Sequence, residues 1–423
     1  MNILSLKQAE MLLTRGSFEE ETLEKTVRTI IEDVRNCGDE ALKRYAKQFD
    51  NTNLDEIAVT EEEFDAAYRE ANPAVVESIR LAVKNIYEYH LRARKQGDLN
   101  TDGVGRTTGF VVRPVNRAGI YVPGGTAPLF SSVCMGVLPA KAAGVKEIYV
   151  TTPARDGKIN PLTLVAAKEC GAKAVFRVGG AQAIAALAYG TESVPKVDVI
   201  AGPGNIFVTL AKKQVYGQVG VDMLAGPSEI LIIADKTAVP KYVAADLLSQ
   251  AEHDVRARAI LLTDSKELAK AVDKEVSRQL ALLPRSQIAS ESLEKNGGIV
   301  LLDDIEEAAA FANLVAPEHL ELAVERPEFF LPKIEHAGAV FLGNYTPESI
   351  GDYFAGPDHI LPTGGTAKFC SVLSADVFTR KMSVISYTKE ALKRDGGHVI
   401  RLATSEYLDA HANAVKIRME DMK

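Results

Sequence analysis

Glu318 and His319 stand side by side in the run Pro317-Glu318-His319-Leu320, and a carboxylate next to an imidazole suits general acid–base work. Histidine titrates near neutrality, and a glutamate in a partly dry cleft can be raised far enough to take a proton from water. A cap beside a satisfied polar pair would look the same, so this pair alone leaves both readings open. Asp246, Gln250 and His253 fall at i, i+4 and i+7 of a helix expected near 241–254, which points an oxygen and an imidazole nitrogen the same way. Gln-x-x-His is a weak metal half-site, because glutamine is an uncommon ligand and a solvated helix face gives the same spacing. Asp352, in Gly351-Asp352-Tyr353, offers a hard oxygen on a glycine-punctuated loop that runs on through Gly356-Pro357-Asp358-His359. Glu406 and His411 lie five residues apart on an expected last helix over about 405–419, and that separation turns them toward different parts of its surface. His90 continues an apolar stripe, and His336 and His398 have no polar company, so these three read as structural.

Four glycine-rich turns accompany these groups: Tyr121-Val122-Pro123-Gly124-Gly125, Gly179-Gly180-Ala181-Gln182, Gly202-Pro203-Gly204-Asn205 and Gly226-Pro227-Ser228. Each sits where a strand gives way to a helix or another strand. In an open parallel sheet such turns gather at one edge, where backbone N–H groups at helix starts favour an anionic group. Glycine also lets the backbone approach a ligand closely. The G-x-G-x-x-G fingerprint is missing, with Val208 near its third position, so the turns by themselves imply only a site for a small anionic molecule.

The elements that must position these residues follow from periodicity. The first hundred residues read as helical: Ser17 and Glu20 form a capping-box pattern ahead of Leu23, Val27, Ile30, Ile31 and Val34, and Gly38 ends that helix. Thr60 with Glu63 repeats the signal, and Asn72-Pro73 opens a helix striped by Val76, Ile79, Val83 and Ile86. From about Val111 short apolar runs alternate with glycine turns and amphipathic helices, which implies parallel sheets covered by helices. One series holds Glu147–Val150, Ala174–Val178 and Val197–Ile200; a second holds Ile230–Ile233, Ala259–Leu262, Ile299–Leu302 and Ala339–Leu342, alternating with helices near 241–254, 266–281 and 305–314. The expected fold class is α/β: two doubly wound, Rossmann-like parallel-sheet units, a helical N-terminal region and a small C-terminal tail beyond about residue 375.

A formal charge of -8 without any basic stripe works against nucleic acid as a partner. The start of the chain lacks the pattern of a secretory signal, and no run approaches the roughly 20 apolar residues of a membrane span, so a cytoplasmic location is expected. Cys37, Cys134, Cys170 and Cys370 are scattered singly, which indicates neither a disulfide framework nor a thiolate metal site and leaves four small buried hydrophobes.

Gly119-Ile120-Tyr121-Val122-Pro123-Gly124-Gly125, Ala225-Gly226-Pro227-Ser228-Glu229, Ser249-Gln250-Ala251-Glu252-His253, Pro317-Glu318-His319-Leu320, Gly351-Asp352-Tyr353 and Ala410-His411 resemble the histidinol dehydrogenase family in order and separation, and the resemblance covers essentially the whole chain. It implies a zinc- and NAD-dependent oxidation of L-histidinol through its aldehyde to L-histidine, the last step of histidine biosynthesis, with two NAD reduced. It also implies one Zn2+ per subunit held by Gln250, His253, Asp352 and His411, with His319 as the base and Glu318 activating water. NAD would contact Tyr121, Gln182 and Asn205, and histidinol would contact Ser228, Glu406 and His319 together with the zinc ligands. The family's tail reaches into the partner's site, which implies a homodimer in which Glu406 and His411 arrive in trans. Domains at 1–120 with 228–373, at 121–227 for NAD, and at 374–423 for the tail are expected. Asp358 stands where the family more often has asparagine. Competing readings are an NAD-dependent dehydrogenase of another small alcohol on the same scaffold, such as a sulfonated diol, which Glu406 speaks against; a zinc hydrolase using Glu318, which leaves three of the four glycine turns redundant; and a two-lobed binding protein, which leaves Glu318-His319 idle.

Overall fold

The computed structural model describes residues 1–11, 20–124 and 128–422; Ser17 of the first capping pattern and Gly125 of the first glycine turn lie outside them. The chain forms two compact units, one of residues 1–93 with 116–378, the other of 94–115 with 379–423. In chain order the strands are β1 (Ile3–Leu4), β2 (Asp98–Thr101), β3 (Arg106–Pro114), β4 (Arg117–Tyr121), β5 (Glu147–Thr151), β6 (Ala174–Phe176), β7 (Val199–Ala201) and β8 (Gly220–Val221). They continue as β9 (Glu229–Ala234), β10 (Arg258–Thr263), β11 (Gly298–Leu301), β12 (His319–Ala323), β13 (Ala339–Leu342) and β14 (Thr379–Tyr387).

The first unit holds two parallel sheets, ordered β6-β5-β4-β7-β8 and β1-β11-β10-β9-β12-β13. Both wind outward from a central strand, β4 or β9, first to one side and then to the other, so each has a switch point where the winding reverses. The runs that build them are apolar without a break because helices cover both faces. In β9, Ile230 and Ile232 pack with Leu247, Leu248, Val272 and Leu293 on one face, while Leu231 and Ile233 pack with Phe311, Val315, Leu320 and Leu322 on the other. The two-residue period of a strand thus divides one sequence run between two cores. Val27, Ile30, Ile31 and Val34 are buried as expected, and Gly38, at φ 50°, breaks the helical run Glu20–Asp50 into two. The Thr60–Glu63 capping box is present, and Asn72 accepts the Ala74 N–H at the start of helix Pro73–Ala93.

The second unit is a three-stranded antiparallel sheet, β14-β3-β2, followed by helices Lys389–Ser405 and Asp409–Glu420. The single helix expected over 405–419 is therefore corrected: Tyr407, at φ 59°, ends one helix and Leu408 leads into the next. Glu406 follows the end of the first helix and His411 stands in the first turn of the second, so they do not lie on two faces of one helix. Of the four cysteines only Cys134 and Cys170 are buried; Cys37 and Cys370 are half-buried. Among the described residues no helix is long and apolar enough to cross a membrane.

Candidate active site

Glu229, Arg258 and His319 are the first residues of β9, β10 and β12, so the acid–base pair lies at the N-terminal edge of the six-stranded sheet. Its central strands hold it by their peptide groups. The Glu229 N–H donates to Glu318 Oε2 at 2.9 Å, and the Glu229 carbonyl lies 3.1 Å from His319 Nδ1. A carbonyl only accepts, so Nδ1 carries the proton in the neutral imidazole and Nε2 is the basic nitrogen. Nε2 is buried, has no hydrogen-bond partner within ordinary distance, and lies 3.5 Å from Asp352 Oδ1. Burial pushes the Glu318 carboxyl up to about 8. Burial alone would pull His319 down, but Glu318, Asp352 and Glu348 outweigh it and hold the imidazole up at about 10. Glu229 is itself anchored, with Oε2 at 2.9 Å from Arg258 and Oε1 accepting the Gly364 N–H at 2.6 Å.

Asp352 is placed by the short helix Glu348–Tyr353, where a loop was expected, and that helix sets Glu348 and Asp352 one turn apart on the same side. Donor atoms of His319, Glu348 and Asp352 all lie within 4.8 Å of one another. Gln250 ends a buried turn of helix Pro240–Ala251 and donates through Nε2 to Glu348 Oε2, which leaves Gln250 Oε1 buried without a partner. His253 lies beyond that helix, with its N–H folded back onto the Gln250 carbonyl at 3.1 Å, so the i+7 argument does not apply to it and a turn sets its position. Burial opposes ionisation of Asp352, but the imidazoles of His319, His359 and His253 nearby hold the carboxyl below its ordinary range. His319, Glu348 and Asp352, the cluster whose donor atoms converge, with the orphaned Gln250 amide oxygen on a side chain bonded to Glu348, offer nitrogen and oxygen donors of a chemistry that fits zinc, and no distance places His253 among them. His411 belongs to the other unit, in the first turn of Asp409–Glu420, and both it and Glu406 are exposed.

The first three glycine turns leave the C-terminal ends of β4, β6 and β7, around the switch point of the five-stranded sheet. Tyr121 Oη, buried and pushed up to about 12 by that burial, accepts the Gly180 N–H at 3.2 Å. Asn205 caps helix Ile206–Val215, its Oδ1 accepting from Phe207 and Val208. Gln182 is buried in helix Gly180–Tyr189. A cleft of about 320 Å³ opens beside the first of these turns, lined in part by Pro123, Gly124, Thr152, Arg155 and Lys158. The fourth turn differs: it leads half-buried Ser228 into β9 at the edge of the other sheet. It still touches the first group, because Thr209 Oγ1 donates to the Ala225 carbonyl at 2.9 Å.

Several groups here were not singled out from the sequence. Glu348 had a signal, the i, i+4 spacing to Asp352 after Pro347, which was hidden by reading that stretch as loop. His359 bonds the Asp352 carbonyl through Nδ1 at 3.0 Å and Ser132 Oγ through Nε2 at 3.1 Å, the second a contact between distant segments that no local spacing announces. Asp358 faces away from this cluster toward buried His90, Oδ2 to Nε2 at 3.7 Å, and both atoms lack a hydrogen bond. Burial pulls His90 down to about 4 and pushes Asp358 well above its usual range, so both prefer to be neutral. Asp358→Asn supplies an amide N–H to the orphaned ring nitrogen and is expected to raise folding stability by about 1 kcal/mol. Denaturant unfolding checks it, and a lower midpoint would show that the carboxyl group is needed.

The family model for histidinol dehydrogenase matches residues 13–419. A histidinol dehydrogenase of Bacillus cereus is 51% identical over 417 residues, covering 99% of this chain and 97% of its own length. One of Carboxydothermus hydrogenoformans is 49% identical over 422 residues, 99% of each chain. The crystal structure of histidinol dehydrogenase from Elizabethkingia anophelis superposes with a TM-score of 0.95 at 42% identity, covering 100% of this chain and 98% of that one.

Proposed function

The chain belongs to the histidinol dehydrogenase family, an NAD-linked dehydrogenase by that membership, and from this premise we propose that it oxidises L-histidinol through the aldehyde to L-histidine with two NAD reduced per substrate. The observation that carries the reading is a pair of buried polar atoms without partners, His319 Nε2 and Gln250 Oε1, on side chains that converge on Glu348 and Asp352. Unmet groups of this kind cost folding energy and are retained where something binds.

Gln250, His253 and Asp352, with His411 from a second copy, would hold the zinc. When bound, zinc anchors the imidazole and amino groups of the substrate, and NAD is the hydride acceptor. His319 Nε2 takes the proton of the alcohol, its Nδ1–H fixed on the Glu229 carbonyl. Once His319 has released that first proton to solvent, Glu318 takes a proton from the water that adds to the aldehyde, and His319 accepts the hydroxyl proton of the hydrate. Ser228 and the second copy's Glu406 contact histidinol, Glu406 balancing its ammonium group. Tyr121, Gln182 and Asn205 line the path of NAD across the switch point, where three glycine turns gather at the sheet edge.

The homodimer is supported by how little the second unit buries. Among the described residues its strands bury no side chain and its helices bury only Ala391, Gly396, Ala403 and Ala412, while Ile385, Leu402 and Tyr407 are 73, 68 and 92% exposed. A unit so short of core needs a covering surface.

The test is a count of NADH formed per histidinol consumed, before and after chelation. Two NADH, lost on chelation and restored by zinc, are expected. NADH from another alcohol but none from histidinol would overturn the substrate.

A further inference from the structure

The turn that leaves β7 is gripped by a buried ion pair, and we infer that Lys212 and Asp222 are positioning residues that set this turn for the dinucleotide. The inference rests on the reading that Tyr121, Gln182 and Asn205 take NAD. Lys212 lies in helix Ile206–Val215, which the turn itself begins, and Asp222 follows β8 directly. Their side chains are 3 and 0% exposed and meet at 2.5 Å. Both hold the same residue: Lys212 Nζ donates to the Gly202 carbonyl at 2.9 Å, and Asp222 Oδ2 accepts the Gly202 N–H at 2.9 Å. Asp222 Oδ1 also accepts the Met223 N–H at 2.6 Å. Thus the peptide groups on both sides of the Gly202 Cα are fixed by side chains from two different elements.

Gly202 is a residue that needs holding. Its φ is 123°, which side-chain-bearing residues rarely adopt, and a Cβ there would lie 2.1 Å from the Tyr121 carbonyl. The turn is therefore pressed against the last residue of β4, across the switch point where the two halves of the sheet part. Two residues of free φ, ψ rotation at this point would swing the start of helix Ile206–Val215, and with it the N–H groups and Asn205, relative to Tyr121.

The energetics say why an ion pair is here. A buried salt bridge is seldom more stabilising than an apolar pair of equal volume, because two charges lose their water. An apolar pair, however, cannot accept from one peptide and donate to the next. What the charges add is fixed geometry, not net stability. Nor does Lys212 serve as a phosphate cation, since its charge is cancelled by Asp222 and its ammonium is turned onto a carbonyl.

The test uses the zinc-loaded full-length enzyme with Lys212→Met, the double variant K212M/D222L, the charge-keeping Lys212→Arg, and Asn205→Ala as reporter of the dinucleotide site. NADH affinity is read from its fluorescence, alongside KM for NAD and for histidinol and the thermal midpoint. K212M is expected to weaken NADH binding and raise KM for NAD about tenfold or more, the size of one charge-assisted hydrogen bond, with KM for histidinol within about twofold. K212M/D222L should recover the thermal midpoint, having no unpaired buried charge, but not the NADH affinity. K212R should keep most of the affinity, and it gives the decisive comparison with K212M if the double variant does not fold. Parental NADH affinity in folded K212M/D222L, or equal losses in K212R and K212M, would overturn the inference. A loss in N205A without one in K212M sinks the clamp and leaves the NAD site standing; no loss in either sinks both.

Discussion

Changing His319 to asparagine is expected to lower kcat for both oxidations by about 100- to 10,000-fold, the range that a positioned general base contributes. Asparagine is chosen because its amide can still donate to the Glu229 carbonyl, the bond that Nδ1 makes at 3.1 Å, while nothing remains at the position of Nε2. The variant separates the base from the scaffold. Gln250, Glu348 and Asp352 keep their own connections through the Gln250–Glu348 hydrogen bond and the His359–Asp352 bond, so zinc content and NADH binding should stay near parental. Rapid-mixing measurement of the first hydride transfer makes the distinction, because a variant with normal binding but slow transfer has lost transition-state stabilisation only. Activity within about tenfold of parental would remove His319 from the role of base.

That the sheets of the first unit were legible in the sequence has a physical cause. Each strand is covered on both faces, so Glu229–Ala234 is buried throughout and reads as an unbroken apolar run bounded by glycine turns. The antiparallel sheet of the second unit was not legible, because β2, β3 and β14 bury no side chain and carry no alternation of apolar with polar. Its pairing of Arg106–Pro114 with Thr379–Tyr387 also spans most of the chain. The site shows the same division. Glu318 and His319 are neighbours in sequence and share one strand start, so their pairing could be read directly. Glu229, whose peptide groups set both of them, is ninety residues away from His319 and is visible only once β9 and β12 lie side by side. His253 was read on a helical face that in the structure stops two residues short of it; the polar run Glu252-His253-Asp254 is where the chain turns down toward β10.

Glu318 gives the sharpest separation of the two half-reactions. In Glu318→Gln the amide oxygen can still accept the Glu229 N–H, which Oε2 does now at 2.9 Å, so the local packing stays while the ability to take a proton is lost. Only the addition of water to the aldehyde needs that proton uptake. The first oxidation should therefore continue at a rate within about tenfold of parental, and the second should fall by about 100-fold or more. The product count becomes one NADH per histidinol, with the aldehyde trapped by a hydrazine. Two NADH per histidinol from this variant would show that water needs no base at Glu318. The pH dependence carries the same information with a definite sign. Burial raises the Glu318 carboxyl to about 8 in the metal-free chain, and only its ionised form is a base, so the second oxidation must speed up as pH rises through the Glu318 titration, with any further rise at higher pH belonging to His319, which its carboxylate neighbours hold up at about 10. A cation on Asp352, a carboxylate that now helps to raise Glu318, lowers that midpoint, which places the rise at or below about 8 in zinc-loaded enzyme. Glu318→Gln should flatten it, whereas His319→Asn lowers the whole curve and, by removing the imidazole charge that holds Glu318 down, moves its rise to higher pH.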